Sequence, residues 1–409
     1  GNKIMKPIVR AGRMKPVHSD IRGPLFVEAM NRQKQGIDIL KLNTGNPATF
    51  GFGLPDSIKN ALMEHMQDGV GYCDFKGMPQ ARQAICDYET SKGIKGITPD
   101  DVFIGNGVSE VVSFALTPLL NDGDEVLVPS PSYSLWGNSV YLEDGKPVFY
   151  TCDEQANWYP DIQDIRSKIT DKTKAIVIIN PNNPTGVLYP KELLLEIIQI
   201  ARESGLLIFA DEIYDRLVMD GKQHISLASL TEDVPVITLN GLSKSHCLCG
   251  YRCGWMVISG PRELTEDYRQ GIIQLTSLRL CANTMAQIVI PAALDDMETP
   301  ASMVRPGGRI YEQREATVRE LEKIDGLSFV KNDAAFYVFP KLDVKKFNIT
   351  NDKQFAHDLL DVTNILLVPG SGFDWKDPDH FRIVMLPQAD ILSDAIRRMG
   401  TFLDGYKQK

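Results

Sequence analysis

The sequence predicts an α/β protein with a large, mostly parallel sheet and a smaller C-terminal α/β unit. Between residues 100 and 260 seven short apolar runs alternate with longer amphipathic ones. Several of the short runs are β-branched and lack polar alternation, as strands covered on both faces do. After residue 305 the grammar changes to shorter strand-like runs set among helical ones.

In chain order the expected strands are "DVFIG", "DEVLVP", "KPVFYTC", "TKAIVIIN", "LLIFAD", "PVITLN" and "GWMVIS". Helical patterns separate them, such as "KELLLEIIQIARESG", whose final glycine suits a left-handed C-cap. This rhythm implies right-handed crossovers and a parallel sheet. Beyond residue 305, "LSFVKNDAAFYVFPKL", "ILLVPGSGF" and "FRIVML" are the strand-like segments. The first 45 residues carry little strand pattern and read as an arm plus a helix. Single cores stop growing near roughly 250–300 residues, so a chain of this length is expected to form two packed units. The expected division is an arm and helix over 1–45 that contribute to the small domain, a large domain over 46–304 and a small domain over 305–409.

Hydrophobic residues at 43% and charged residues at 24% are ordinary for a soluble globular protein. A net charge of -9 argues against nucleic acid or an anionic membrane as the main partner. No apolar run approaches the roughly 20 residues that cross a bilayer. The N-terminal "GNKIMKPIVR" has no apolar signal core, so a cytoplasmic location is expected. The seven cysteines are an odd number scattered over a long chain, which reads as reduced thiols rather than a disulfide framework.

Ligands of open parallel sheets bind outside the carboxyl ends of the strands, so polar residues just after the apolar runs are the ones to inspect. Four such junctions stand out. "FIGNGVSE" (103–110) follows the first strand and opens a helix. Its glycines allow a tight turn, the exposed amides at the helix start could hold a phosphate, and Ser109 could add a hydroxyl. A nicotinamide fingerprint needs a third glycine where this chain has Glu110. "NPNNPTG" (180–186) fixes an unusual loop and supplies the amides of Asn182 and Asn183. "LLIFADEIYD" (206–215) puts Asp211 directly after a buried strand, with Tyr214 three residues on. A carboxylate at that depth needs a partner, and a protonated ring nitrogen on a cofactor would be one; a metal ligand or a helix cap is the plainer reading.

The fourth junction, "NGLSKSHCLCGYRCGWM" (240–256), crowds His246, Cys247, Cys249 and Cys253 around Lys244 and Arg252. Zinc ligands usually come paired as C-x2-C or similar, and the spacing H-C-x-C-x3-C makes adjacent ligands hard to aim at one ion. A lysine that forms a Schiff base must instead reach its target from a fixed loop, partly desolvated so that its amine is available near neutral pH. Arg252 could balance a phosphate dianion. The stretch is built around the lysine.

Taken together these junctions resemble the fold-type I pyridoxal-phosphate aminotransferases of classes I and II, and within them the bacterial alanine (glutamate–pyruvate) enzymes. The resemblance spans nearly the whole chain, from "DIRGP", "LNTGNPATFGF" and "GYCDFKG" to "LRLCAN", "PGGRIYEQR" and "DHFRIVMLP". It implies a large domain with a mostly parallel seven-stranded sheet and pyridoxal 5'-phosphate held as a Schiff base on Lys244, which would also shuttle the proton between substrate and cofactor. By the same resemblance Asp211 would keep the pyridine nitrogen protonated. Tyr214 and Asn183 would bond the ring 3-oxygen, and Tyr133 would stack on the ring. The phosphate would lie against the Val108 and Ser109 amides, Ser243 and Arg252, with Tyr72 reaching the site of a neighbouring subunit in a homodimer. Arg382 would bind the substrate carboxylate bidentately, helped by Asn183 and the backbone around Gly45. Arg279 has two readings, a contact to the distal carboxylate of glutamate or 2-oxoglutarate and a structural or interface arginine.

One departure stands out. Many relatives carry a hydroxyl residue three positions before the lysine, where this chain has Gly241. The implied reaction is ping-pong transfer of an amino group between L-alanine/pyruvate and glutamate/2-oxoglutarate. Other donors, or a pyridoxal-phosphate C–S β-lyase of the same fold, would share every cofactor residue. A nicotinamide dehydrogenase leaves Lys244, Arg252 and the asparagine loop unexplained. A transcription regulator would need an N-terminal DNA-binding domain for which 45 residues are too few.

Overall fold

The computed structural model describes residues 4–409. Seven strands stand where the apolar runs place them: Val102–Asn106, Glu125–Ser130, Lys146–Asp153, Thr173–Ile179, Leu207–Asp211, Val236–Gly241 and Cys253–Ser259. An eighth, Tyr159–Pro160, is only two residues long and pairs antiparallel with Cys152 and Asp153, closing one edge of the sheet. No periodicity can register in two residues, which is why the sequence shows seven.

From the other edge the order is 102–106, 253–259, 236–241, 207–211, 173–179, 125–130, 146–153 and 159–160. The five central strands pair in parallel, whereas Cys253–Ser259 runs antiparallel to both its neighbours. The missing polar alternation now has its reason. Along 173–179, Ala175, Val177 and Ile179 pack into one hydrophobic cluster, and Ile176 and Ile178 into another on the opposite face. Helices Gly107–Leu116 and Arg262–Leu278 cover the first face, and Lys191–Ser204 covers the second. The last of these ends on Gly205 in the left-handed region, as its sequence requires.

Near the N-terminus, helix Pro24–Lys34 leads into a two-residue strand, Leu40–Lys41, that pairs in parallel with Ile365–Leu366. Helices Arg309–Leu321, Asp352–Thr363 and Ala389–Leu403 pack around short strands at 337–338, 368–369 and 381–384. Leu42, Tyr214, Leu217 and Met219 share that cluster, so the segment after Asp211 is packed against it.

Candidate active site

The carboxyl ends of the central strands meet the short strands of the C-terminal part, and the predicted junction residues gather there. Asp211 ends its strand with its carboxylate buried. Trp136 Nε1 donates to Oδ2 at 3.1 Å and the Ile213 amide to Oδ1 at 3.4 Å. Burial outweighs these two bonds and pushes the carboxyl up to about 6. It is a carboxylate with neutral donors and no cation.

Lys244 lies in the loop after the strand Val236–Gly241. Its Nζ donates to Gly45 O at 2.6 Å and stands 3.8 Å from Cys249 Sγ. The expected availability of its amine near neutral pH is not met. Burial lowers the ammonium's pKa, but Tyr337, Cys249 and Tyr133 pull the other way and the net shift is upward. Desolvation is opposed by ionisable oxygens and sulfur around the same nitrogen, of which the lysine motif contains only Cys249.

Arg382, on the strand Phe381–Val384, is 1% exposed. Nη1 donates to Asn183 Oδ1 at 2.9 Å and Nη2 to Asn43 O, while Nε is buried without a partner. The guanidinium lies between the rings of Tyr337 and Phe373, 4.6 and 4.7 Å from their centroids. Burial lowers its pKa. Asn183 is thus tied to Arg382 and, through its own carbonyl, to the Tyr133 amide at 2.9 Å. With Oδ1 committed, its Nδ2 donors are what it offers a ligand. The Tyr214 hydroxyl pairs with that of Tyr337 at 2.8 Å.

On the other side of the lysine the start of helix Gly107–Leu116 meets Arg252. Arg252 Nη2 donates to Ser109 Oγ at 3.2 Å and Nη1 to Cys249 O at 2.9 Å. Gly107 has φ +80°, and a Cβ on it would lie 2.8 Å from the guanidinium carbon, so only glycine admits the arginine there. The first-turn amides of Val108 and Ser109 have no intrahelical acceptor by construction of a helix. Glu110 does not oppose an anion here: its carboxylate turns back to the Asn106 amide and Nδ2, both at 3.1 Å, and to Arg279. Ser243 takes part through its backbone oxygen, which accepts from Cys249 Sγ at 3.1 Å.

The family model for class I and II aminotransferases matches residues 37–396. The chain is a class I and II aminotransferase. The glutamate–pyruvate aminotransferase AlaA of Haemophilus influenzae is 50% identical over 404 residues, covering 99% of this chain and 100% of that protein. The alanine aminotransferase of Mycobacterium tuberculosis is 45% identical, covering 98% and 94%. Among solved structures, an aminotransferase from Escherichia coli matches with a TM-score of 0.97 at 47% identity, covering 99% of this chain and 100% of that one. An alanine aminotransferase from Pyrococcus furiosus matches with a TM-score of 0.92 at 41% identity, covering 97% and 100%.

Two predicted residues of the aminotransferase do not join this cluster. Tyr72 is 82% exposed and borders a separate surface hollow with Cys281 and Asn283. Arg279 is spent on structure: it donates to the carbonyls of Ile104, Phe75 and Thr276 at 2.9, 3.3 and 3.1 Å and pairs with Glu110 at 3.3 Å. That favours the structural reading over a substrate contact. The Gly241 departure also has a cause. A Cβ there would sit 2.5 Å from the Cys253 carbonyl, so the strand pairing excludes any side chain, hydroxyl or not. His246 is fully engaged, its ring nitrogens bonded to Ser245 Oγ at 2.8 Å and Asp296 O at 2.9 Å.

Sequence reasoning missed three contributors: Trp136, Tyr337 and Asn43. Trp136 lies three residues beyond Tyr133, and Tyr337 inside an apolar strand, where each looks like core. Cys249 was visible, but as loop filling rather than a neighbour of the lysine.

Proposed function

We propose that the aminotransferase exchanges amino groups between L-alanine/pyruvate and glutamate/2-oxoglutarate, with pyridoxal phosphate held by Lys244. The observation that carries the substrate class is Arg382. Among the described residues it has no acidic partner, and a buried guanidinium without an anion is costly, so the site is built to receive a carboxylate. The choice of alanine and glutamate draws on the names of the relatives that match at 45–50% identity over nearly full length.

The residues present fit the cofactor. A doubly charged phosphate matches helix amides, a serine hydroxyl and the Arg252 guanidinium. A protonated ring nitrogen would give Asp211 the cation it lacks and lower its carboxyl from about 6. Asn183 Nδ2 and the Tyr214 hydroxyl supply donors for the ring oxygen, and Tyr133 borders the same space. When bound, pyridoxal phosphate supplies an electron sink for the carbanion at the substrate α-carbon.

The rest belongs to the protein. Arg382 and Asn183 grip the α-carboxylate and thereby fix which bond at the α-carbon faces Lys244. Lys244 Nζ is the base that would take the α-proton from the substrate and deliver it two atoms further on, to the carbon across the amino nitrogen. Asp211 would keep a proton on the ring nitrogen of the bound cofactor. Tyr214 and Tyr337, joined by their hydroxyls, orient one another.

A homodimer is part of the proposal. Tyr72 faces away from its own chain's site, and Ile4, Met5, Ile8, Val9, Val70 and Leu278 leave apolar side chains largely exposed, more than a lone subunit needs. A cytoplasmic location is consistent with seven unpaired cysteines, and no helix among the described residues is long and apolar enough to cross a membrane. The test is a half-reaction. The loaded protein is mixed with L-alanine alone, and pyruvate and ammonia are assayed. One pyruvate per site with no ammonia is expected; continuous pyruvate and ammonia would instead make the chain a lyase.

A further inference from the structure

Glu212, Asp215 and Arg216, which follow Asp211 along the chain, belong to a second group of charges that transamination does not use. Lys92 Nζ lies 2.8 Å from both Glu212 and Asp215, and 3.5 Å from Glu89. His224 stands 3.6 Å from Glu212 and bonds Asn180 O at 3.0 Å. Arg216 Nε donates to Asp215 at 3.2 Å, and its guanidinium lies 5.0 Å from the Tyr88 ring centroid. All of these side chains are largely buried. Replacing buried ion clusters by apolar side chains is often neutral or stabilising, so stability alone is a weak account of this one.

Its position suggests another. Asp215 follows Asp211 and Tyr214 on one short segment. Arg216 Nη2 leaves the cluster and donates to Gly241 O at 2.7 Å and Asn240 Oδ1 at 3.2 Å, where the lysine's strand ends. Asn240 Oδ1 also accepts from the Gly241 amide at 2.7 Å. Gly241 is the last residue of its strand, paired with Gly254, and the neighbouring strand leaves no room for a Cβ on it. The peptide plane that leads toward Lys244, three residues on, is held on its amide side by Leu242 N–H donating to Cys253 O at 3.2 Å. The buried, charge-assisted bond from Arg216 holds its carbonyl side.

We propose that Arg216, aimed by Asp215, is a positioning residue for Lys244, pinning the Gly241 carbonyl so that the lysine and the Asp211–Tyr214 segment keep a fixed mutual geometry. This rests on Lys244 being the cofactor lysine. Arg216 itself touches neither substrate nor cofactor.

The test compares wild type with Arg216→Met, Arg216→Lys and Asp215→Asn. Three readouts are taken: the single-turnover rate with L-alanine, the pH midpoint of the cofactor's visible absorbance, and the rate at which Lys244 is methylated reductively in cofactor-free protein, followed by peptide mass spectrometry. Arg216→Met should slow the single turnover by about tenfold or more, while half-saturation by alanine stays within about twofold. The absorbance midpoint should move by about half a pH unit, and the methylation rate should change with it. Arg216→Lys should recover most of the loss, and Asp215→Asn should fall between. A lowered melting temperature with unchanged midpoint, turnover and methylation would overturn the proposal, leaving Arg216 a structural residue. Should Arg216→Met fail to fold, wild-type midpoint, turnover and methylation in Asp215→Asn would overturn it equally. Failure of the underlying reading shows separately, as wild-type cofactor linked to a lysine other than Lys244.

Discussion

The two halves of the site are built in opposite ways. One half hangs from the carboxyl ends of the large sheet's strands: Asp211, Lys244, Asn183 and the helix start at Gly107 each stand at the end of a strand of five to seven residues or within four residues of it. The other half comes from two- to four-residue strands and the segment before Gly45, where Arg382, Tyr337 and Asn43 converge. In the first half topology dictates where function sits, since all parallel strands open their ligand-binding ends to the same side. In the second half packing dictates it. The proposed chemical steps fall on the first half, and the proposed substrate grip, Asn183 apart, on the second.

Mutations can break that division, and the largest effect belongs to Lys244. Lys244→Ala should lower turnover by about 10⁴-fold or more, since both the covalent anchor and the proton carrier go. The visible absorbance should still report cofactor bound without a covalent link, and turnover near wild type would remove Lys244 from the site. In the other half, Arg382→Ala should raise KM for alanine by about 100-fold, the loss of two charge-assisted bonds, with cofactor affinity within a few-fold. An unchanged KM would leave the substrate carboxylate unassigned.

Asp211→Asn sharpens the contrast through stability. A folded-state carboxyl at about 6 lies above its unfolded value, so the folded chain holds more protons between roughly pH 4 and 6 and stability falls as pH rises through that window. Removing the charge should stabilise the cofactor-free protein by about 3 kcal/mol at pH 7.5 and by almost nothing at pH 4. Calorimetry at the two values checks the sign. The loaded variant should lose turnover even though its cofactor-free form melts higher. The smallest effect is expected at Tyr337→Phe, which takes one neutral hydrogen bond from Tyr214 and should slow turnover by about fivefold.

The same division explains what was legible in the sequence. Each residue of the first half stands one to four positions after an apolar run, so a rule about strand ends finds it. The "GNGVSE" turn was ambiguous alone and gained meaning only with Arg252, 143 residues from Ser109. The second half depends on contacts with no local trace: Tyr214 meets Tyr337 across 123 residues, and Asn43 meets Arg382 across 339. Arg382 was visible only through likeness to relatives. Lys244's surroundings were legible as residue types and not as charges, which is why its pKa was expected to fall and instead rises. The buried cluster around Lys92 had no signal at all, because its acids and bases are spread over three separate segments.

The central claim is that the lysine loop after Val236–Gly241 holds the cofactor. It is tested by loading the protein with pyridoxal phosphate, reducing it with borohydride, digesting it and locating the modified lysine by mass spectrometry. The account predicts a single pyridoxyl group on Lys244. A pyridoxyl group on another lysine, or none after loading, would contradict it.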